Sequence, residues 1–180
     1  MIKFKTPTKW IAITGAPSSG KTSVLNVLAA KGYRICHEAA REIIEERIKA
    51  GKTLAEVRSN AGSLQRDILK AKVDLSRSFD PKEIVFFDRG IPDSLSYFRA
   101  AGLDPAEVMP FALEFRYAKV FLFDRLPIVQ DGIRTESEAD AKGIEKMLLE
   151  DYTRLGYTPL RVPVMPVEAR ADFLLKTLTD

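Results

Sequence analysis

Residues Gly15-Ala16-Pro17-Ser18-Ser19-Gly20-Lys21-Thr22 follow the spacing G-x-x-x-x-G-K-[ST]. This stretch constrains the chain more than any other, because the pattern has physical meaning only between a strand and a helix. Both flanks meet that condition. Trp10-Ile11-Ala12-Ile13-Thr14 is short, mostly apolar and β-branched, which predicts a strand. Beyond Lys21, apolar residues recur at helical spacing at Leu25, Leu28 and Ala29, and Gly32 is a natural stop. Gly15 and Gly20 permit backbone angles that a Cβ would forbid. The loop can then wrap its N–H groups around a polyphosphate at the positive end of the following helix. Lys21 adds a charge that reaches β- and γ-phosphates, and the Thr22 hydroxyl is a ligand for Mg²⁺. The candidate nucleotide-binding residues are Gly15, Ala16, Pro17, Ser18, Ser19, Gly20, Lys21, Thr22 and Ser23.

The rest of the chain alternates strands and helices. Tyr33–Cys36 reads as a short strand, followed by a helix from Glu38 to Gly51 striped by Ala40, Ile43, Ile44 and Ile48. Residues 52–62 are polar and ambiguous. A third helix is expected over Ser63–Arg77, with Leu64, Ile68, Ala71 and Leu75 on one face. Ile84–Phe87 and Val120–Phe123 are continuously apolar, which is what central parallel strands show when both faces are covered. Helices are expected from Pro92-Asp93 through Phe98 and from Asp104-Pro105 to about Arg116. A capping box at Thr135 and Glu138 opens the next helix, striped by Ile144, Leu148, Tyr152 and Leu155. A last strand over Thr158–Val162 and a closing helix with Val167, Ala171, Leu174 and Leu178 complete the chain. Residues Met1–Lys9 read as a frayed lead-in.

This alternation predicts an α/β fold with a parallel sheet and helices on both faces. Ligands then collect at the carboxyl ends of the strands. A chain of 180 residues suits one domain, spanning 1–180. Its net charge of +3 is too mild for a nucleic-acid binder and compatible with anionic small molecules. The single cysteine, Cys36, excludes an internal disulfide framework and fits a reducing, cytoplasmic setting. No signal peptide or membrane span is expected. A monomer or homodimer is the expected state.

The candidate site follows from the strand ends. Asp88 closes an apolar strand as a Walker B carboxylate does, so Thr22 and Asp88 are the candidate Mg²⁺ residues; a turn aspartate is the alternative. Glu38, just past the second strand, can take a proton from an acceptor hydroxyl or bind a ribose, and Arg41 one turn later can hold an anion. A solvated ion pair is the alternative for these two. Arg89 can fork onto phosphate oxygens. Residues 124–137, with Arg125, Asp131, Gly132 and Arg134, read as a charged lid whose arginines stabilise a transferring phosphoryl group. The candidate catalytic set is Lys21, Glu38, Asp88, Arg89 and Arg134; the candidate acceptor-binding set is Glu38, Arg41, Arg89, Arg125 and Asp131. The lone His37 reads as surface, Cys36 as packing, and Tyr97, Phe98, Phe111 and Phe115 as core. Arg170 is either a face charge or a contact near a bound base.

Taken together, these phrases resemble one family. They are Ile13–Thr22, His37-Glu38-Ala39-Ala40-Arg41-Glu42-Ile43-Ile44, Phe87-Asp88-Arg89-Gly90-Ile91-Pro92-Asp93-Ser94 and Asp131-Gly132-Ile133-Arg134-Thr135, with Gly156-Tyr157 and Val162-Pro163. The chain resembles the P-loop family that unites the kinase-like domain of NadR with a eukaryotic GTP-binding trafficking factor, a family that carries an AAA label. The resemblance covers about Trp10 to Leu178. It implies a three-layer, nucleoside- or nucleotide-kinase-like P-loop NTPase fold: five parallel strands in the order 2-3-1-4-5, with a lid after strand four. It also implies ATP or GTP with Mg²⁺. The kinase domain of NadR phosphorylates nicotinamide riboside, but the acceptor is not carried over. The chain is too short for the helical lid domain of ring ATPases.

The leading expectation is therefore a Mg²⁺-dependent small-molecule kinase, with a nucleoside triphosphate and an unidentified nucleoside- or nucleotide-like acceptor as partners. The alternative is a nucleotide-gated regulatory protein with slow NTPase activity, although no Asn/Thr-Lys-x-Asp guanine signature is present.

Overall fold

The computed structural model describes residues 2–126 and 138–179. Its main sheet has five parallel strands: β1 (Ile11–Thr14), β2 (Arg34–Cys36), β3 (Val85–Asp88), β4 (Lys119–Phe123) and β5 (Leu160–Val162). Their spatial order is β2-β3-β1-β4-β5. A separate two-stranded ladder pairs Thr6–Pro7 with Phe115–Arg116; counted with those two strands, the same order reads 3-4-2-6-7.

Side chains alternate between the sheet's two faces, and each face is covered. Trp10, Ala12, Val85, Phe87 and Val120 pack with Leu69, Val73, Leu95, Phe98 and Tyr152. These come from α4 (Ala61–Arg77), α5 (Asp93–Ala100) and α7 (Glu138–Arg154). Ile11, Ile13, Phe86, Phe121 and Phe123 pack with Val24, Leu25, Leu28, Ala171 and Leu174, supplied by α1 (Lys21–Ala30) and α8 (Val167–Thr179). Both faces need apolar cover, and that is why the strands read as unbroken apolar runs. Helix α2 (Ala39–Lys49) joins α3 (Leu54–Ser59) and α4 in a small satellite cluster around Val57, Leu64 and Ile68.

Four expectations need correction. The lead-in is not frayed: Lys5, Thr6 and Thr8 donate backbone hydrogen bonds to Leu113, Glu114 and Arg116. The helix expected from Asp104 to Arg116 is a 3₁₀ turn at Pro105–Glu107 followed by the short α6 (Met109–Ala112). Pro110 has no N–H to continue a helix, and the ladder with Thr6–Pro7 draws the chain out after it. The ambiguous stretch contains α3, nucleated by a capping box between Thr53 and Glu56 rather than by an apolar stripe. In α4 the buried face runs through Leu64, Ile68, Leu69, Lys72, Val73 and Ser76, while Leu75 is exposed. The apolar reading put Leu75 inside and passed over Lys72.

Candidate active site

The loop between β1 and α1 is shaped by close approach. Gly15 has φ +144°, and a Cβ there would lie 2.9 Å from the carbonyl oxygen of Phe123. Gly20 is the N-cap of α1 in the left-handed region, and no side chain caps the helix. The first-turn N–H groups, which have no intrahelical acceptor, are thus left to an anion. The Lys21 ammonium is buried and donates to Gly15 O at 3.2 Å, Ala16 O at 3.0 Å and Ser19 Oγ at 3.1 Å. Burial and the Arg89 charge push it down to about 7.

Register places Asp88 beside this loop, since Ile13 pairs with it across β1 and β3. The Thr22 hydroxyl donates to Asp88 Oδ2 at 3.2 Å. Burial, then the Glu38 charge, raises the Asp88 carboxyl above its ordinary value. Asp88 Oδ1 is buried and, among the described residues, has no hydrogen-bond partner. An orphaned carboxylate oxygen beside a threonine hydroxyl is a hard-oxygen donor set suited to Mg²⁺. Among the described residues no group of three or more His, Cys, Asp or Glu could hold a metal alone. A cation here would therefore also use nucleotide oxygens, as Mg²⁺ commonly does.

Arg89 occupies the left-handed region at φ +67°, an uncommon place for a residue with a Cβ. Its surroundings hold it there. Its N–H donates to Ile13 O, Nη1 donates to Gly15 O at 2.8 Å, and Nε lies 2.7 Å from Glu38 Oε1. Its guanidinium stacks over Tyr97 at 5.1 Å. Burial alone would raise the Glu38 carboxyl, but the Arg89, Lys72 and Lys21 charges outweigh it and hold the carboxyl below its ordinary range. Beneath them Asp93, fully buried, accepts from Thr14 Oγ1 (2.7 Å), Gly90 N (3.0 Å), Tyr152 Oη (2.6 Å) and Arg89 Nη1 (3.4 Å).

Of these, Lys21, Thr22, Glu38, Lys72, Arg89 and Tyr97 border one cleft of about 430 Å³. Pro17 through Ser23 form its loop end; Glu38 and Arg41 of the α2 start, Gln65 and Lys72 of α4, and Arg89 and Tyr97 form the other. Ile44, Leu64 and Ile68 give that second end an apolar wall. The cleft thus brings together Lys21, Thr22, Glu38, Arg41 and Arg89, with Asp88 reached through Thr22. Arg125 is not in this lining; its Nε lies 3.3 Å from Glu145 Oε2. Asp131, Gly132, Arg134 and Thr135 lie outside the described residues.

Four residues escaped the sequence reading of the site. Tyr97 was expected in the core and lines the cleft, stacked on Arg89. Lys72 was unremarked; its signal is a lysine inside an otherwise apolar helix face. Asp93 read only as a helix opener. Arg170 is buried, not a face charge: Nη1 donates to Ser19 O at 2.6 Å, Nε to Pro163 O at 3.0 Å and Nη2 to Asp124 O at 3.4 Å. His37 is exposed and Cys36 buried, in line with their readings.

Comparison with known proteins gives the same architecture. A family model described as an AAA domain (AAA_28) matches residues 10–170. No curated protein matches the chain in sequence. Deoxyadenosine kinase from M. mycoides, solved with dCMP and dCDP, superposes with a TM-score of 0.65 at 18% identity, covering 94% of this chain and 98% of that one. Thymidylate kinase from Ehrlichia chaffeensis gives 0.68 at 14% identity, covering 97% and 100%. NadR in complex with NR gives 0.67 at 18% identity, covering 94% of this chain and 51% of that one, so the chain spans about half of NadR. At these identities the likeness establishes a kinase-like P-loop fold. No helix among the described residues is long and apolar enough to cross a membrane.

Proposed function

Since the chain belongs to the AAA domain family matched over residues 10–170, we propose that it is a Mg²⁺-dependent kinase that transfers the terminal phosphoryl group of ATP or GTP to a small nucleoside- or nucleotide-like acceptor. One observation carries this reading: a single cleft joins the phosphate loop to residues of α2, α4 and α5. The loop end, with Lys21 and Thr22, suits a triphosphate. The far end, walled by α2, α4 and α5, is a chamber that a simple hydrolase would not need.

The residues divide the work. The N–H groups at the start of α1 and the Lys21 ammonium bind and orient the phosphates. Thr22 and Asp88 would hold Mg²⁺, whose chemistry is to neutralise charge on the β- and γ-oxygens. Arg89 lines the acceptor side and reaches the loop through Gly15 O, so its guanidinium can stabilise charge on the group in transit. Glu38, kept ionised by its cationic neighbours, orients the acceptor hydroxyl by accepting its hydrogen bond. Arg41 and Tyr97 border the acceptor. Arg125, Asp131 and Arg134 are assigned to the transfer as well, the last two from outside the described residues.

The test is label transfer from γ-labelled ATP or GTP to a panel of nucleosides, nucleotides and cofactor precursors. Acceptor-dependent transfer is expected, abolished by Lys21→Ala. Glu38→Gln should depress transfer far more than nucleotide binding. Slow hydrolysis indifferent to every acceptor would overturn the kinase in favour of a nucleotide-gated switch.

A further inference from the structure

Arg89 has two carboxylate partners of different kinds. Its Nε lies 2.7 Å from Glu38 Oε1, and its Nη1 lies 3.4 Å from Asp93 Oδ1. The Glu38 side chain is 30% exposed and lines the cleft. That of Asp93 is 0% exposed and lies beneath the lining. In the transfer just described Glu38 also accepts from the acceptor hydroxyl, so its hold on Arg89 is shared. Asp93 has no such second task.

Asp93 is held from several elements at once. Oδ1 accepts from Thr14 Oγ1 at 2.7 Å as well as from Arg89, and Oδ2 accepts from Gly90 N at 3.0 Å and Tyr152 Oη at 2.6 Å. These donors belong to β1, to the turn after β3 and to α7. Thr14 immediately precedes Gly15, whose carbonyl takes the 2.8 Å hydrogen bond from Arg89 Nη1. Each oxygen is used twice, and moving the carboxylate would strand buried donors, which is costly.

The same residue acts on the backbone of Arg89. Its φ of +67° lies in the left-handed region, which a Cβ disfavours. The next N–H, that of Gly90, is the one Asp93 Oδ2 accepts, and Asp93 N donates to Gly90 O at 3.2 Å. Main chain and side chain of Asp93 thus close the turn directly after the disfavoured residue. One carboxylate fixes Arg89 both at its C-terminal peptide and at its guanidinium. The contact to Gly90 would suffice to start α5; those to Arg89, Thr14 and Tyr152 go beyond that need.

Resting on the kinase reading above, we propose that Asp93 is a positioning residue. With Tyr152 on its second oxygen, it is the fixed counter-charge that keeps the Arg89 guanidinium aimed at the group in transit while Glu38 engages the acceptor. Asp93 touches neither donor nor acceptor and moves no proton.

Two measurements test this. The first needs no turnover. A held guanidinium gives separate Nη1 and Nη2 resonances in nitrogen NMR spectra, and one that rotates freely about Nε–Cζ gives a merged signal. Arg89→Lys identifies the signals of Arg89. They should be separate in wild type and in Glu38→Gln, and merged in Asp93→Asn; any other pattern overturns the proposal. The second is a double-mutant cycle on turnover. Asp93→Asn should lower kcat by roughly tenfold to a hundredfold, with nucleotide affinity within about threefold. In an Arg89→Ala background it should change kcat by less than about twofold, because the group it acts through is gone. An equal factor in both backgrounds is what a lost fraction of folded protein would give, and it overturns the positioning role. If Asp93→Asn does not fold, Tyr152→Phe carries both measurements. Broadened Nη signals, and a kcat lowered about threefold only when Arg89 is present, are then expected; wild-type signals and turnover overturn the proposal. Acceptor-independent hydrolysis would overturn the kinase reading separately and leave the NMR pattern readable.

Discussion

Arg170, in the last helix, donates a 2.6 Å hydrogen bond to the carbonyl of Ser19, 151 positions earlier in the phosphate loop. The same guanidinium reaches Pro163 O and Asp124 O and lies 5.1 Å over the Phe123 ring. One planar group thus ties α8, the end of β4 and the loop together. Lysine has the charge but not the fork needed for three carbonyls. Arg170→Lys and Arg170→Ala should both weaken nucleotide binding by roughly tenfold, and the alanine variant should lose about 2–3 kcal/mol of stability through unsatisfied buried carbonyls. Isothermal titration well below each variant's melting temperature separates the two effects. Unchanged affinity in both variants would reduce Arg170 to packing.

The orphaned Oδ1 of Asp88 leads to a second expectation. Asp88→Asn keeps the shape and the Thr22 contact but removes the charge. Nucleotide affinity measured in EDTA should match wild type, while the gain on adding Mg²⁺ should shrink by about tenfold or more. An undiminished Mg²⁺ effect would take Asp88 out of the metal site.

Gly90 tests the buried network under the cleft. In Gly90→Ala the new methyl would meet Tyr152 Oη at 2.7 Å and the Tyr117 ring at 3.1 Å. Tyr152 cannot yield without surrendering its hydrogen bond to Asp93. A loss of about 2–4 kcal/mol is expected in urea unfolding, from overpacking plus a broken buried bond. Adding Tyr152→Phe removes the clashing oxygen, so the double variant should be less destabilised than the two single effects summed. Strict additivity would place the strain elsewhere.

Cys36 supplies the pH test. Burial pushes its thiol up to about 12, and it lies on β2 packed against Leu69 and Phe87 of the core. A raised folded-state pKa means that its contribution to stability is complete below the unfolded value of 9 and is lost as pH rises towards 12. Alkylation of the native protein should therefore climb about tenfold per pH unit through pH 10, with no plateau near 9, and run far below the rate in urea. A native rate that levels off near pH 9 would contradict the buried placement.

How much of this was legible beforehand depends on the range of the interaction involved. The loop from Gly15 to Thr22 is a local object: two glycines, a lysine and a threonine carry its chemistry in eight consecutive residues, and the flanking strand and helix show in their own periodicity. The apolar runs at 84–87 and 120–123 pointed to strands covered on both faces, which holds for Val85–Phe87 and Val120–Phe123, while Ile84 lies before its strand and is exposed. Residues at strand ends were expected to converge for the same topological reason, and Glu38, Arg89 and Lys21 do border one cleft. The amino-acid order determined those features by itself. Lys72, Asp93, Tyr97 and Arg170 were decided by tertiary structure alone. A lysine in a helix or an aspartate after a proline has the same local signature whether it faces water or a buried partner. Only packing removed the water, leaving the four oxygen and nitrogen partners of Asp93 and the carbonyls around Arg170 to set where those side chains point.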